Sequence, residues 1–353
     1  RVSTMADKEV RVPWQSLQEF TKQVFMKVGM PEQDAAIEAE LLVWANLRGV
    51  DSHGVLRIPW YVDHVDKGFM NPKPNIRIEK ETPATLLIEG DRAFGPVVTV
   101  FAMKKVIEKA RQVGIGWALL RNITHQGAMA YYPLMAVKEN MAGIAWVCSP
   151  PNMAPFGAKA AGVHNSPISI AVPAKNRKPV VLDMATSVAA GGKLMLARDK
   201  NIPIPLGWAL NKNGEPTTDP FDAPILLPAG GPKGSGLAIM FECLSSIMVD
   251  NALQEPVLKG KKSYGHNQNG VVAAINIATF TDVEKYKATI DSYVDGIKAL
   301  PKAEGFTEIM VPGEPEDRTF EERSKYGVPL PAGTVKNLTA MAERFGVKLP
   351  EGI

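Results

Sequence analysis

A histidine and an arginine stand four residues apart in the stretch DSHGVLR, at positions 53 and 57. If Asp51 or Ser52 caps a helix here, the two side chains lie one turn apart on the same face. The positive end of that helix disfavours an imidazolium ion, so His53 is available as a neutral base. Arg57 can bind a carboxylate beside it through two hydrogen bonds. The alternative is that Asp51 and Ser52 are ordinary caps and that His53 is a solvated residue of the first turn.

Two further polar clusters follow predicted strands. His125, in THQGAMAYY, lies between a predicted strand and a predicted helix, which is where ligands bind in open α/β sheets. Asp183, in LDMATS, ends an apolar run, and a carboxylate there can orient a histidine or bind a ligand hydroxyl. Each also has a purely structural interpretation. His125 would be a polar loop residue after a capping Thr124, and Asp183 would be a helix cap.

The segment 226–236, LLPAGGPKGSG, contains four glycines and Lys233 and opens a long predicted helix. Free backbone N–H groups, the helix N-terminus and the lysine together suit a phosphate or a diphosphate, whereas the alternative is a flexible turn. The segment matches neither GxGxxG nor GxxxxGK[ST], so the standard Rossmann and Walker fingerprints are absent from the sequence. The histidine spacings disfavour a zinc site, and no serine stands in a GxSxG elbow.

Alternating helices and strands must position these clusters. Apolar residues at helical spacing predict a helix over 14–28 that stops at Gly29, and Pro31 opens a second helix with acidic residues in its first turn. Residues 71–83, with three prolines, are predicted to be a connector. Short apolar runs bounded by turn residues then predict buried strands, and the last forty residues are predicted to hold a loop and a short helix. The pattern predicts an α/β protein whose sheet occupies roughly the central two thirds of the chain.

Composition narrows the class of protein. The 353 residues are 45% hydrophobic and 22% charged, which is typical of a folded chain of about two domains. The net charge of +3 comes from 40 basic and 37 acidic residues that are well mixed, which argues against nucleic acid as a partner. Two cysteines indicate a reducing compartment, and no apolar run approaches a membrane span. We therefore expect a cytoplasmic protein without a membrane partner.

Five motifs in this order and spacing carry a resemblance to a known family: DSHGVLRIPWYVDHVDKG, HQGAMAYY, FGAKAAGVHNSPISIAVPA, VLDMATS and LPAGGPKGSG. Together they resemble the malate/L-lactate dehydrogenase family that lacks a Rossmann fold. The family includes ureidoglycolate and sulfolactate dehydrogenases, diketogulonate reductases and cyclic-imine reductases. The resemblance runs from about residue 14 to the final VPLPAGTVKNLTAMAERFGV. HQGAMAYY and the stretch from EPTTDPF to LLPAGGPKG are most similar to ureidoglycolate dehydrogenase.

The resemblance implies a fold and a division of the chain. The expected fold is an α/β protein with a non-Rossmann, NAD(P)-binding mixed sheet and a helical domain formed from both chain termini. Residues 1–85 together with 285–353 would form the mainly helical substrate and dimerisation domain. Residues 86–284 would form the NAD(P)-binding sheet domain. A homodimer with its active site near the subunit boundary is the expected assembly.

The resemblance also assigns roles to individual residues. His53 would give or take the proton of the substrate oxygen, while Ser52 and Arg57 would bind the substrate. His125 matches the acid/base of the ureidoglycolate enzymes, so which of the two histidines moves the proton stays open. Asp183 is predicted to orient the catalytic histidine. The cofactor-binding positions implied by the resemblance are Ser149, Val181, Leu182, Asp183, Met184, Ala185, Lys233, Gly313, Glu314 and Pro315; no metal site is implied.

The expected function is NAD(P)-dependent interconversion of a small 2-hydroxy acid and its 2-oxo acid, with NAD and NADP both open as cofactors. Two departures from the family bear on substrate or cofactor preference: HNSP at 164–167 replaces a common GTNP, and HQGAMAYY lacks the second glycine of HxGxxGYY. Within the family, the alternative is an NADPH-dependent reductase of a cyclic imino acid or a diketo sugar acid. Outside it, the alternatives are a phosphate-binding transferase and a non-catalytic nucleotide-binding protein.

Overall fold

The computed structural model of the protein describes residues 9–263 and 266–353, which form a mixed α/β structure. The helices are α1 (Trp14–Val28), α2 (Glu32–Leu47), α3 (Ile58–Asp66), α4 (Gly95–Val113), α5 (Tyr131–Val137), α6 (Gly191–Asp199), α7 (Pro232–Cys243), α8 (Glu255–Leu258), α9 (Val283–Lys298), α10 (Glu314–Tyr326) and α11 (Ala332–Phe345). The strands are β1 (Val10–Val12), β2 (Arg77–Glu81), β3 (Thr85–Glu89), β4 (Ile115–Ile123), β5 (Met141–Cys148), β6 (Ile168–Val172), β7 (Val180–Met184), β8 (Ala209–Leu210), β9 (Ile225–Leu226), β10 (Gln268–Asn276) and β11 (Val328–Leu330).

The central sheet has seven strands in the order β2-β3-β4-β10-β5-β6-β7. β3 and β4 run parallel, and the other neighbouring pairs are antiparallel. This arrangement makes β3, β4, β5 and β7 point in one direction and β2, β6 and β10 in the other. The carboxyl ends of four strands and the starts of β2, β6 and β10 therefore meet at one edge of the sheet, the ligand edge. The predicted mixed α/β fold is confirmed.

Two of the hydrophobic cores join helices to the sheet and to each other. The first lies between the sheet and α4, and includes Met103, Leu120 and Tyr132. The second joins residues from both ends of the chain, since Leu17 and Tyr61 share it with Leu338. The antiparallel pair β1 and β11 also ties the two ends together. The predicted helix stop at Gly29 is confirmed, because this residue has a positive φ of 117° after the last turn of α1.

The sequence prediction missed several elements, among them β2 and α10. β2 lies inside the predicted connector 71–83, and all five of its residues are exposed. A strand with no buried face does not alternate between apolar and polar residues, so its sequence carries no strand signal. Its charged side chains protect an edge strand from pairing with other chains. α10 lies in the predicted loop near the C-terminus; its sequence EPEDRTFEERSKY is almost wholly polar and shows no apolar face. β2 lies before residue 86 and belongs to the central sheet, and the division into two domains stays a prediction.

Within the described ranges, no helix has both the length and the apolar character needed to cross a membrane.

Candidate active site

The DSHGVLR segment forms two short 3-10 turns, Asp51–His53 and Val55–Arg57, and α3 begins only afterwards. The prediction that Asp51 or Ser52 caps a helix with His53 and Arg57 on one face is wrong, because neither side chain makes a capping hydrogen bond. The chain is held in this shape by a buried side chain of α2. Asn46 Oδ1 accepts the Val55 N–H at 2.9 Å. The backbone of Gly54 lies so close to Asn46 that any side chain at position 54 would collide with the carboxamide.

Asp51 has a structural role in place of the predicted cap. Its carboxylate accepts a hydrogen bond from Asn46 Nδ2 at 2.9 Å and another from Arg323 Nη1 at 2.7 Å. Arg323 belongs to α10, one of the elements missed from the sequence. A second ion pair, between Arg48 and Asp317 at 2.5 Å, fastens α10 to the end of α2. Helices from both ends of the chain therefore position the segment that carries His53.

His53 and His125 face each other at the centre of the site. Their rings are stacked, with centroids 5.4 Å apart and planes 12° apart. His53 Nδ1 lies 3.0 Å from the Ser52 hydroxyl, and His125 Nδ1 lies 2.7 Å from the hydroxyl of Tyr61. In the part of the chain that the structure describes, the Nε2 atom of each ring has no hydrogen-bond partner. These two nitrogens are free to exchange a proton with a ligand.

Both imidazoles are held in the neutral form. Burial, and then the positive charge of Arg57, lower the pKa of His53 to about 4. Burial, Arg57, His53 and His164 lower the pKa of His125 well below its ordinary value. The sequence predicted a neutral His53 for a different reason, the positive end of a helix. Neutral imidazole is the form that can accept a proton at one nitrogen while it donates one from the other.

Arg57 provides a positive charge next to the two rings. Its Nε donates to the Ser52 carbonyl at 2.8 Å, and its guanidinium lies over the Trp60 ring, 5.6 Å from the centroid. Among the described residues, no carboxylate forms an ion pair with it. A half-buried arginine without an acidic partner is suited to bind an anion, and the guanidinium fork matches a carboxylate.

The loops at the ligand edge bring unpartnered polar atoms to the same region. Ser149 follows β5 and Thr186 follows β7; the hydroxyl oxygens of both are buried and lack a hydrogen-bond partner among the described residues. His164 precedes β6, and its Nδ1 lies 3.1 Å from the Ser166 hydroxyl. Burial lowers the pKa of His164 to about 4. Buried hydroxyls without partners indicate groups that a polar ligand would satisfy.

The glycine-rich segment also reaches this edge. Ala229 N–H donates to the Thr186 carbonyl at 2.8 Å, which places the segment beside the end of β7. Gly230 and Gly231 both have a φ of 60°, a conformation that favours glycine, and Lys233 is exposed in the first turn of α7. The predicted positions Ser149 and Lys233 thus lie on loops of the same sheet edge.

Gly313, Glu314 and Pro315 lie along β7. Val181 N–H donates to the Pro312 carbonyl at 3.1 Å. Gly313 has a φ of 98°, and a Cβ there would lie 3.3 Å from Val181. Glu314 and Pro315 begin α10. Because β7 ends at the ligand edge, the predicted cofactor positions from 181 to 185 and from 313 to 315 form one continuous strip that leads away from the histidines.

The orienting role predicted for Asp183 is not supported by the geometry. Tyr61 and Ser52 make the hydrogen bonds that hold the two rings, and Asp183 reaches neither histidine among the described contacts. Loss of hydration raises the pKa of the Asp183 carboxyl to about 6, although part of the residue is exposed. A hydrogen bond from the Ala130 backbone and the charge of Arg48 oppose this effect. A role in cofactor binding stays a prediction for Asp183.

Two buried ionisable residues beside the histidines or their contacts escaped the sequence analysis. Tyr61 is fully buried in α3, and its four-residue spacing from Arg57 is the signal that could have found it. Glu38 is fully buried in α2, and both of its carboxylate oxygens lack a hydrogen-bond partner among the described residues. Burial raises the pKa of Glu38 to about 8. Its sequence context, AAIEAELL, gives no sign that this glutamate, and not Glu40, faces inwards.

In the described ranges, no group of three or more histidine, cysteine, aspartate or glutamate side chains could hold a metal ion.

Comparison with known proteins identifies the family. The family model for malate/L-lactate dehydrogenase matches residues 12–339. The chain belongs to the malate/L-lactate dehydrogenase family. This member is 41% identical to a malate dehydrogenase of Pyrococcus abyssi over 349 residues, with 96% of each chain covered. It is 32% identical to a ureidoglycolate dehydrogenase (NAD(+)) of Escherichia coli strain K12 over 323 residues, covering 91% of this chain and 93% of that one.

A solved structure agrees with this assignment. The sulfolactate dehydrogenase from Methanocaldococcus jannaschii has a TM-score of 0.86 with this chain at 38% identity, covering 96% of this chain and 98% of that one. The predicted family is confirmed. Membership of this family makes the protein a dehydrogenase, and the ureidoglycolate relative is one whose name gives NAD(+) as the cofactor.

Burial of Glu38 predicts a pH-dependent stability. The pKa of Glu38 is raised from an ordinary value of 4.5 to about 8, so between these values the unfolded chain loses a proton that the folded chain keeps. The free energy of unfolding of the wild type should therefore fall across this window, by roughly 4 kcal/mol relative to Glu38→Gln. Urea unfolding of both proteins at several pH values measures the difference. Glu40→Gln, an exposed position on the same helix, should follow the wild type; a constant difference between Glu38→Gln and the wild type would contradict the prediction.

Proposed function

We propose that the protein interconverts a small 2-hydroxy acid and its 2-oxo acid, with a histidine as acid/base and a nicotinamide dinucleotide as the hydride carrier. The observation that carries this proposal is the arrangement of Arg57, His53 and His125. An arginine that pairs with no carboxylate in the described part of the chain lies next to two stacked, neutral imidazoles. A hydroxyl group adjacent to a carboxylate is the chemical unit that such a set can bind and deprotonate.

Each residue then has a defined task. Arg57 binds the substrate carboxylate and so fixes the position of the neighbouring hydroxyl. His125 is the better choice for the acid/base, because its Nδ1 contacts a fully buried tyrosine hydroxyl that can either donate or accept a hydrogen bond. Its Nε2 would take the hydroxyl proton during oxidation and return it during reduction. His53, held by Ser52, would hydrogen-bond the same substrate oxygen.

The residues at the ligand edge fit a dinucleotide. The buried, unpartnered hydroxyls of Ser149 and Thr186 offer hydrogen bonds close to the site. Lys233 and the N-terminus of α7 suit a diphosphate, and the strip from Val181 to Gly313 extends the surface further. When bound, the dinucleotide supplies the hydride acceptor or donor. The protein's part is to bind, to orient and to move one proton.

The relatives guide the choice of substrate. The relative named malate dehydrogenase is more similar to this chain, at 41% identity, than the one named ureidoglycolate dehydrogenase, at 32%. A relative named L-sulfolactate dehydrogenase is 40% identical. We therefore favour a 2-hydroxy acid with a second acidic group, such as malate or sulfolactate, over ureidoglycolate. The two free cysteines agree with the reducing, cytoplasmic location that we infer.

A substrate screen tests the proposed function. Absorbance of NADH and of NADPH is followed while oxaloacetate, pyruvate, sulfopyruvate, oxalurate, diketogulonate or a cyclic imino acid is added. We expect oxidation of one cofactor with a 2-oxo acid, and a fall in turnover of about a hundredfold to ten-thousandfold in His125→Ala. Tight cofactor binding without turnover on any compound would defeat the proposal in favour of a nucleotide-binding protein. Full turnover in His125→Ala together with its loss in His53→Ala would move the acid/base role to His53.

Removal of the anion-binding group should change substrate binding first. In Arg57→Ala the KM for the 2-oxo acid should rise by about a hundredfold, because a charge-assisted pair of hydrogen bonds to the carboxylate is lost. Arg57→Lys should recover only part of the loss, since an ammonium group cannot bind a carboxylate through a planar fork. Steady-state kinetics with varied 2-oxo acid measure both effects. An unchanged KM in Arg57→Ala would remove Arg57 from the substrate site.

We also propose that the protein forms a homodimer through α7 and the turns after it. This surface, the α7 face, consists of apolar side chains at helical spacing that are 37–61% exposed: Leu237, Met240, Leu244, Ile247 and Met248. A contiguous exposed apolar stripe of this kind is typical of a subunit interface. The helix that bears it begins at the glycine-rich segment, so a second copy bound here would lie near the cofactor strip.

Charge placed on the α7 face should break the dimer. Met240→Glu should weaken self-association by about a hundredfold, because a carboxylate would be buried in an apolar contact. Phe280→Glu, at an exposed aromatic residue on another part of the chain, serves as the matched control and should remain dimeric. Sedimentation velocity at several protein concentrations gives the answer. A monomeric wild type, or a Met240→Glu variant with wild-type association, would refute this interface.

A further inference from the structure

Glu38 occupies an unusual place in the fold. It lies on α2 between the two hydrophobic cores, because Ala35 and Leu42 belong to the core that holds Tyr61, while Leu41 belongs to the core of the central sheet. The side chain is fully buried, and neither carboxylate oxygen has a hydrogen-bond partner among the described residues. A carboxyl group buried without a partner opposes folding. Such a group is best explained by a role in the reaction that the protein catalyses.

The neighbours of Glu38 connect it to the active site. Glu38 interacts electrostatically with two buried tyrosines, Tyr61 of α3 and Tyr132 of α5. The Tyr132 hydroxyl is already committed, because it donates to the Gln126 carbonyl at 2.5 Å. The Tyr61 hydroxyl lies 2.7 Å from His125 Nδ1. Tyr61 therefore contacts the ring that we propose as the acid/base and also feels the charge of a buried carboxyl group.

The electrostatics of the site require a proton acceptor beyond the histidine. A proton taken up at His125 Nε2 makes an imidazolium, which burial, Arg57, His53 and His164 all disfavour by lowering the pKa of His125. The proton on His125 Nδ1 must then pass to another group. Tyr61 cannot supply a tyrosinate to receive it, because burial and the charge of Glu38 raise the pKa of its hydroxyl. Tyr61 can only accept one proton while it releases another.

We propose that Glu38 is a positioning residue for His125 that acts through Tyr61, as the far end of a Glu38–Tyr61–His125 proton relay. This inference rests on the proposed function. During oxidation, the substrate hydroxyl proton passes to His125 Nε2, the Nδ1 proton passes to the Tyr61 oxygen, and the Tyr61 hydroxyl proton passes to the Glu38 carboxylate. The hydride leaves the substrate carbon with its bonding pair for the oxidised nicotinamide dinucleotide, and the C=O bond forms. Reduction reverses every transfer.

The relay also sets the tautomer of His125. A protonated Glu38 donates towards Tyr61, which donates to Nδ1, so that Nε2 carries the ring proton and can act as an acid. An ionised Glu38 accepts from Tyr61, which accepts from Nδ1–H, so that Nε2 is left as a base. In the described contacts Glu38 and Tyr61 are not directly hydrogen-bonded; one bridging water molecule or a rotation of the Glu38 side chain closes the gap.

Nitrogen NMR of the full-length protein tests the relay without any need for turnover. In protein labelled with ¹⁵N-histidine, the Nδ1 and Nε2 shifts of His125, assigned by comparison with His125→Gln, report the tautomer between about pH 6 and pH 10. We expect the ring proton to move from Nε2 to Nδ1 as Glu38 ionises, since the pKa of Glu38 is raised to about 8. The titration should vanish in Glu38→Gln and persist in Glu40→Gln. A wild-type titration in Glu38→Gln would overturn the relay.

A second variant and a kinetic readout keep the test decisive. If Glu38→Gln does not fold, Tyr61→Phe removes the link while Glu38 remains, and it should abolish the same titration. In kinetics, Glu38→Gln should lower kcat for hydroxy-acid oxidation about tenfold at alkaline pH and flatten its pH profile, with an unchanged KM. An unaltered kcat profile would also refute the relay. Absence of dehydrogenase activity in the wild type would refute the proposed function alone, because the NMR titration does not depend on turnover.

Discussion

The site depends on one buried carboxamide, that of Asn46 at the end of α2. Its oxygen holds the Val55 N–H, its nitrogen holds Asp51, and its position forces residue 54 to be glycine. This constraint bends the chain into two short turns where the local sequence alone suggests the start of a helix. His53 and Arg57 reach the ligand edge because of that bend. The same helix also carries Leu41, which packs on the loop containing His125 against Gly127, so α2 sets the distance between the two imidazoles.

The second constraint is the exclusion of water from ionisable groups. Burial keeps both imidazoles neutral and leaves Arg57 as the uncompensated charge beside them. Since Arg57 lowers the pKa of both rings, a carboxylate bound to its guanidinium would cancel part of that effect. The histidines would then become more basic when an acid substrate arrives. Binding of an acid at Arg57 and the basicity of the two rings would thus be coupled by electrostatics.

Sequence alone predicted the main features of the fold and many residues around the site, for identifiable reasons. The long helices and buried strands can be predicted from the periodicity of their apolar residues and from turn residues such as Gly29 and Pro31. His53, His125 and Arg57 could be chosen because their chemistry is rare on apolar segments. β2 and α10 could not be found, because exposed, charged elements carry no apolar pattern. The hydrogen-bond partner of His125 could not be predicted either. Tyr61 lies 64 residues from His125 in the chain, and only the packing of α3 against the loop brings the two side chains together.

The ion pair between Asp51 and Arg323 joins residues 272 positions apart. Until the ribosome has made α10, the carboxylate that anchors the 51–57 turn lacks its guanidinium partner. The sheet also closes late, because its central strand β10 pairs with β4 and β5, which lie far earlier in the chain. The turn that carries His53 and Arg57 is therefore completed only after both the last strand of the sheet and α10 have been made. A chain that ends before α10 would keep His53 and Arg57 but lose the guanidinium that holds their turn.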